Sequence, residues 1–178
     1  MTGDGAARRM RHHLLFGLLC AALIFARLLP LDPAATRWPG PDLMLCLALA
    51  WAARRPGDVP VWLLAPLFLT ADLLLTRPPG LWTALVLLAV ETLRAAPRGR
   101  ATTFPAEWLR AAALLAGVSL AHWLVLTVLL VDQPPFWQQG RMVLSGVAAY
   151  PAVAAVLHWG LRIRRRPVPE GFGRRSWA

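Results

Sequence analysis

Charged side chains within apolar stretches are the residues of this sequence that could do chemistry. Arg27, Asp42 and Asp72 each lie inside or at the edge of a long apolar run. A charge at mid-bilayer costs about 2.5–3.5 kcal/mol on insertion scales, so each of these residues needs a partner or a function. Two interpretations stay open: Arg27 pairs with Asp72 or Asp42 for structural reasons, or the three line a polar pocket open to the outer side. Asp42 follows Pro41 and is also placed to cap the helix that begins after it.

Other polar residues in apolar runs have simpler interpretations. Arg94 follows Glu91 by three residues, and this spacing predicts a local ion pair that extends toward the inner membrane surface. His122 lies in the middle of an apolar run and is predicted to bond a neighbouring helix rather than relay protons. Cys20 and Cys46 are both surrounded by apolar residues, which is typical of small buried side chains rather than a disulfide or metal site.

The sequence offers no assembled reaction centre. We find no nucleophile–base–acid set, no metal-ligand spacing and no Gly-rich phosphate loop. The chain is therefore predicted to be neither an enzyme nor a protein that holds a metal or cofactor. The polar candidate site residues are the outer layer of Arg27, Asp42 and Asp72 and the inner pair of Glu91 and Arg94.

Composition places the chain in a membrane. Of 178 residues, 57% are apolar and 16% are charged, and the mean hydropathy is +0.51. Soluble domains carry about 25% charged residues, and disordered chains have low hydrophobicity. The formal net charge is +10, and all 19 basic residues are arginine. Because the arginines separate apolar runs instead of forming one basic face, they indicate membrane topology, and nucleic acid is not an expected partner.

Six apolar segments are predicted to cross the bilayer as helices. A hydrocarbon core of about 30 Å needs about 20 helical residues, and the segments lack the alternation of barrel strands. The second segment has only 12 residues, a rise of about 18 Å, so a re-entrant path is its alternative. The predicted fold is an all-α bundle of six transmembrane helices at 14–163, between basic tails at 1–13 and 164–178. The segments are 14–31, 42–53, 59–76, 81–96, 111–131 and 142–161.

The distribution of arginine predicts that both termini are cytoplasmic. Fifteen arginines fall in segments that would then lie inside, and Arg37, Arg77 and Arg141 fall outside. The first segment is predicted to be a retained anchor, because Arg27 interrupts it and no small-residue cleavage site follows. Tryptophans near the predicted boundaries are expected to form an aromatic belt. They are Trp38, Trp82 and Trp137 on the outer side and Trp51, Trp62, Trp108 and Trp159 on the inner side.

Three short motifs stand in order across the second to fourth segments. Pro41-Asp42-Leu43 opens the second segment, and Asp72-Leu73 lies near the end of the third. The turn 77–82, with Pro79 and Gly80 at its centre, leads into an Ala/Leu-rich fourth segment. With the basic N-terminus and the six-segment layout, these motifs resemble the MreD family of bacterial rod-shape proteins, and the run 38–56 is similar to its alphaproteobacterial branch. Pro66, which is predicted to kink the third helix, stands where many members are Gly-rich.

The resemblance implies a scaffold in the inner membrane without a catalytic step of its own. MreD-like proteins work with MreC and, through the wider elongasome, with MreB filaments, RodA and the elongation penicillin-binding transpeptidase. They support lateral peptidoglycan synthesis and maintain rod shape, in contact with membrane lipids. The single helix of an MreC-like partner could dock on small-residue faces, and internal packing is the alternative role of these faces. The faces are Ala111, Ala112, Ala113 and Gly117, and Gly146, Ala149, Ala152 and Ala155.

A second class of function stays open. MreD-like proteins are thought to resemble the fold of substrate-binding membrane subunits of vitamin-type transporters. In such a protein, the layer of Arg27, Asp42 and Asp72 would bind a small molecule from the outer side.

Overall fold

Six α-helices make up most of the structure, a computed structural model that describes residues 3–29, 40–96, 103–133 and 135–160. No strand occurs within these ranges, so the predicted all-α class is confirmed. A 3-10 turn, Pro56–Asp58, follows the second helix, and a π-helical turn, Val156–Gly160, extends the sixth. The predicted C-terminal tail, Arg37 and Trp38 lie outside the described residues. The helices are α1 (Gly3–Leu28), α2 (Leu43–Arg54), α3 (Val61–Leu74), α4 (Leu81–Ala95), α5 (Phe104–Val128) and α6 (Phe136–Ala155).

Within the described ranges, three helical stretches are long and apolar enough to cross a membrane. They are Ala6–Leu28, Phe104–Val128 and Phe136–Trp159, with 23, 25 and 24 residues. The helices α2, α3 and α4 have only 12, 14 and 15 residues. At 1.5 Å per residue, even α4 rises less than the roughly 30 Å of a hydrocarbon core.

The three long helices begin earlier than the apolar segments indicate. The first and fifth segments were expected from 14 and 111, whereas α1 begins at Gly3 and α5 at Phe104. Arginine, glutamine and glutamate are good helix formers, so the polar lead of each segment is helical as well. Proline in the first turn of α5 fits its N-terminus, because the missing N–H has no partner there in any case.

Helix α2, the shortest, forms the centre of the bundle. Every residue from Met44 to Ala52 is buried, and the helix packs against α1, α4, α5 and α6. Cys46 contacts the carbonyl oxygen of Gly146 at 3.5 Å, which shows how closely α2 and α6 approach. The segment that looks weakest as a membrane span in the sequence is therefore the core of the fold.

Contacts between helix ends divide the bundle into two ends. Arg27 near the end of α1 contacts Pro41 before α2, and Asp72 near the end of α3 contacts Thr83 in the first turn of α4. At the opposite end, Arg54 contacts Glu107, joining the end of α2 to the start of α5. Neighbouring helices along the chain thus run antiparallel. We call the first the Asp72 end (Arg27, Asp42, Asp72, Arg77) and the second the Glu107 end (His12, Arg54, Asp58, Glu107, Tyr150).

Two tryptophans assigned to the aromatic belt lie inside the bundle instead. Trp51 is completely buried, with its ring edge-on to Phe16 at 5.3 Å between centroids. Trp82 is 3% exposed. Their prediction as interface residues is wrong, because position along the chain gives depth in the membrane but not the face of the helix. Trp62 and Trp159 are exposed on the bundle surface.

Candidate functional site

Asp72 is fully buried, and its carboxylate accepts hydrogen bonds at the start of α4. Its Oδ2 accepts hydrogen bonds from the Gly80 N–H (3.2 Å), the Thr83 N–H (3.1 Å) and the Thr83 hydroxyl (2.8 Å). The N–H groups at a helix start have no helical carbonyl to bond, so a carboxylate from another helix satisfies them and complements the helix dipole. Asp72 therefore joins α3 to α4.

The turn between α3 and α4 needs its glycine. Gly80 has a φ of +87°, a left-handed conformation that other residues rarely adopt. Pro79 precedes it, and the Leu81 N–H donates to the Pro78 carbonyl at 3.4 Å. The Gly80 N–H points at Asp72, so two motifs that are separate in the sequence form one hydrogen-bonded unit.

Asp42 caps α2, as its position after Pro41 predicts. Its Oδ1 accepts the Leu45 N–H at 3.1 Å. Its Oδ2 lies 3.5 Å from Arg77 Nη1, and the Arg77 guanidinium stacks 4.9 Å above the centre of the Trp82 ring. Asp42 is 6% exposed, so this ion pair is largely withdrawn from solvent.

The predicted ion pair of Arg27 with Asp72 or Asp42 is wrong. Arg27 Nη2 instead donates to the Pro41 carbonyl oxygen at 2.7 Å, and Arg27 is exposed. Asp72 turns toward α4, and Arg77 takes the place beside Asp42. Arg27 and Asp42 thus line the same cavity, whereas Asp72 bonds α4 and does not line it. The predicted depth in the membrane could not distinguish Arg27 from Arg77 as the partner of Asp42.

A cavity of about 120 Å³ opens at the Asp72 end. Its polar lining consists of Arg27, Asp42 and Arg77, and the remainder is apolar. A cavity of this size can hold water or one small polar group. The apolar lining residues are Leu23, Ile24, Ala26, Leu43, Met44, Phe68, Ala71, Leu75 and Trp82.

Glu91 and Arg94 form an ion pair on the last turns of α4. Arg94 also donates to the Val59 carbonyl oxygen in the connection between α2 and α3. Arg94 is partly buried, and Glu91 is half exposed. The pair thus anchors the end of α4 to the start of α3.

His122 packs against Trp82 in an edge-on arrangement, with ring centroids 5.0 Å apart. Its Nε2 is buried and accepts or donates no hydrogen bond within the described part of the chain. The expected interhelical hydrogen bond is therefore not made by this nitrogen, and an aromatic contact to α4 stands in its place.

The Glu107 end contains a buried polar cluster that the sequence reasoning missed. Arg54 Nη1 lies 2.8 Å from Glu107 Oε1 and 2.9 Å from the Ala50 carbonyl oxygen. The Tyr150 hydroxyl lies 2.9 Å from the same carboxylate oxygen. The side chains of Arg54 and Glu107 are 5% and 4% exposed. One signal was available: Tyr150 is the sole tyrosine, and it stands in an apolar run.

A second buried pair lies beside this cluster. His12 Nδ1 and Asp58 Oδ2 are 2.6 Å apart, and Arg55 Nη1 approaches the same carboxylate oxygen at 3.8 Å. His12 belongs to the polar lead of α1, which was expected as part of a tail. The pair instead fixes the start of α1 against the turn after α2.

The described residues include no group of three or more histidines, cysteines or acidic residues that could hold a metal ion. Cys20 and Cys46 are buried free thiols. The part of the chain that the structure describes is thus all-helical, and three of its helices have the length and composition to cross a membrane. Comparison with models of protein families, with curated proteins and with solved structures finds no match to this chain.

Proposed function

We propose that this protein is an MreD-like scaffold subunit of the bacterial rod-shape complex, acting with MreC in lateral peptidoglycan synthesis. The bonding of Asp72 to Gly80 and Thr83 carries the proposal. It makes the Asp-Leu and Pro-Gly motifs, on which the family resemblance depends, parts of one hydrogen-bonded helix junction. A scaffold needs polar residues that hold its helices together, and Asp72 has this role here.

The proposed topology is six spans in the inner membrane with both termini cytoplasmic. Supporting it, the start of α1 with Arg8, Arg9 and Arg11 lies at the Glu107 end, as do Arg54 and Arg94. Arg27 and Arg77 lie at the opposite end. This asymmetry favours the Glu107 end as the cytoplasmic one.

The size of the cavity disfavours a vitamin-type transporter subunit. Pockets for small-molecule ligands are typically about 300–1,000 Å³, and the cavity at the Asp72 end is about 120 Å³. Asp72 does not line it, since its carboxylate is taken up by α4. A substrate site formed by the three predicted residues together finds no support in this geometry.

A groove between α4 and α5 is the face we assign to the MreC-like helix. Ala113, Gly117 and Ala121 line it at intervals of four residues, opposite Leu88 and Ala89. Small residues at this spacing let two membrane helices approach closely. A Cβ atom added at Gly117 would meet open space, whereas one at Gly146 would touch Leu115 and Cys46. Gly146, in the second predicted face, is thus used in internal packing.

A pull-down from the native host tests the function and the face together. The tagged full chain in gentle detergent is expected to enrich MreC, RodA and the transpeptidase, as identified by mass spectrometry. Gly117→Leu fills the groove and should reduce MreC recovery about tenfold or more. Gly17→Leu is the matched control, because Gly17 also faces open space but lies on α1, away from the groove.

Each alternative result has a defined meaning. Enrichment of paired ATPase subunits with a coupling membrane protein would replace the scaffold by the transporter. Equal MreC recovery with Gly117→Leu and Gly17→Leu would move the docking face elsewhere and leave the scaffold role standing.

A further inference from the structure

The cavity at the Asp72 end carries an excess of positive charge. Its lining contains two arginines, Arg27 and Arg77, and one carboxylate, Asp42. Asp72 is not part of this lining, and its Oδ2 faces the N-terminus of α4 instead. A cavity with this balance attracts an anionic group, and guanidinium groups match phosphate oxygens in geometry.

Both arginines are held in place by contacts that leave donors for a ligand. A guanidinium has five N–H donors. The described contact of Arg27 engages Nη2 with a carbonyl, and that of Arg77 engages Nη1 with Asp42 at 3.5 Å, the far limit of a hydrogen bond. The Arg77 guanidinium also lies over the Trp82 ring, 4.9 Å from its centre. Arg77 is thus held by two contacts before a ligand binds, which lowers the cost of binding.

The size and the apolar lining of the cavity restrict the other parts of the ligand. About 120 Å³ accommodates a phosphate group but not a drug-sized molecule. The other walls are apolar and come mainly from α1 and α3, including Leu23, Phe68 and Ala71. A ligand that contacts both the arginines and the apolar walls has an anionic head and an apolar chain.

We propose that this cavity binds the phosphate group of an anionic phospholipid, with the acyl chain lying along α1 and α3. The cavity lies at the helix ends, where lipid headgroups stand if the bundle spans the membrane. Arg27 and Arg77 contact the phosphate, and Asp42 sets the affinity by opposing it. The proposal goes beyond the scaffold role and does not depend on it.

The test measures binding of short-chain phosphatidylglycerol to the full chain in neutral detergent, by native mass spectrometry and by thermal shift. Phosphatidylcholine of the same chain length and inorganic phosphate are the comparison ligands. We expect phosphatidylglycerol alone to raise the melting temperature. Arg27→Gln should weaken its binding about tenfold, the effect of one lost charge-assisted hydrogen bond.

Two further variants distinguish a ligand site from a merely structural one. Arg141→Gln is the matched control, because Arg141 also stacks on a tryptophan, Trp137, near the start of α6 but does not line the cavity. It should bind the lipid as the wild type does. Asp42→Asn keeps a helix-capping side chain but removes the opposing charge, so lipid binding should tighten several-fold.

Three results would overturn the proposal. Equal binding of phosphatidylcholine would show general lipid solvation, and equal stabilisation by inorganic phosphate would show a free-anion site instead. Unchanged lipid binding in folded Arg27→Gln protein would exclude the cavity as the location.

Discussion

The two ends of the bundle hold charges in apolar surroundings by different means. At the Glu107 end, Arg54 and Glu107 face each other with almost no exposure, and Tyr150 contacts the same carboxylate. At the Asp72 end, Asp72 and Asp42 are met by helix N–H groups, and the arginines border a cavity. The first end is closed by mutual pairing, while at the second each acid accepts hydrogen bonds at a helix start and the arginines keep further N–H donors. One end thus pairs its charges with each other, and the other places two arginines beside a cavity.

Breaking the Glu107 end should have the largest effect. Glu107→Leu leaves the Arg54 guanidinium buried without its carboxylate, and removing one partner of a buried ion pair costs about 3–5 kcal/mol. The free energy of unfolding, measured in mixed micelles with increasing dodecyl sulfate, is expected to fall by this amount.

The double variant Arg54→Met, Glu107→Leu is the control for that prediction. Replacing a whole buried pair by apolar side chains is often neutral or stabilising. We expect it to recover most of the loss. A double variant as unstable as Glu107→Leu would show that the charge pairing is not what this end depends on.

Removing the carboxylate at the Asp72 end should have an intermediate effect. Asp72→Ala leaves the Gly80 and Thr83 N–H groups unsatisfied, a cost of about 1–3 kcal/mol. Asp72→Asn retains an oxygen acceptor and should lose clearly less in the same unfolding measurement. Equal losses in the two variants would mean that the negative charge, rather than the hydrogen-bond geometry, matters here.

Arg27→Gln should have the smallest effect on stability. The side chain is exposed and its described bond is to one backbone carbonyl, so we expect a loss of about 1 kcal/mol or less. A loss of stability as large as that of Asp72→Ala would instead favour the hypothesis that Arg27 pairs with a buried carboxylate. Near-normal stability together with weakened lipid binding in Arg27→Gln would support a binding role for the arginines of the Asp72 end, in contrast to the structural role of the Glu107 end.

Features that depend on residues close together in the sequence were predictable. Apolar run lengths gave the all-α class, and the position of Asp42 after Pro41 indicated the cap of α2. The partner of Arg27 was not predictable, because it depends on which side of α1 faces α2. The cluster around Glu107 was missed for a related reason: Glu107 and Tyr150 are 43 residues apart and meet only through the packing of α5 on α6.

The burial of α2 has a consequence for how the protein is made. The twelve residues of α2, Leu43–Arg54, rise only about 18 Å and offer the insertion machinery a poor signal. In the finished bundle, much of the surface around α2 comes from α5 and α6, which are translated later. We expect α2 to enter its final position late in synthesis, held by neighbouring helices rather than by lipid. The packing of α2 is then complete only when α5 and α6 have been inserted.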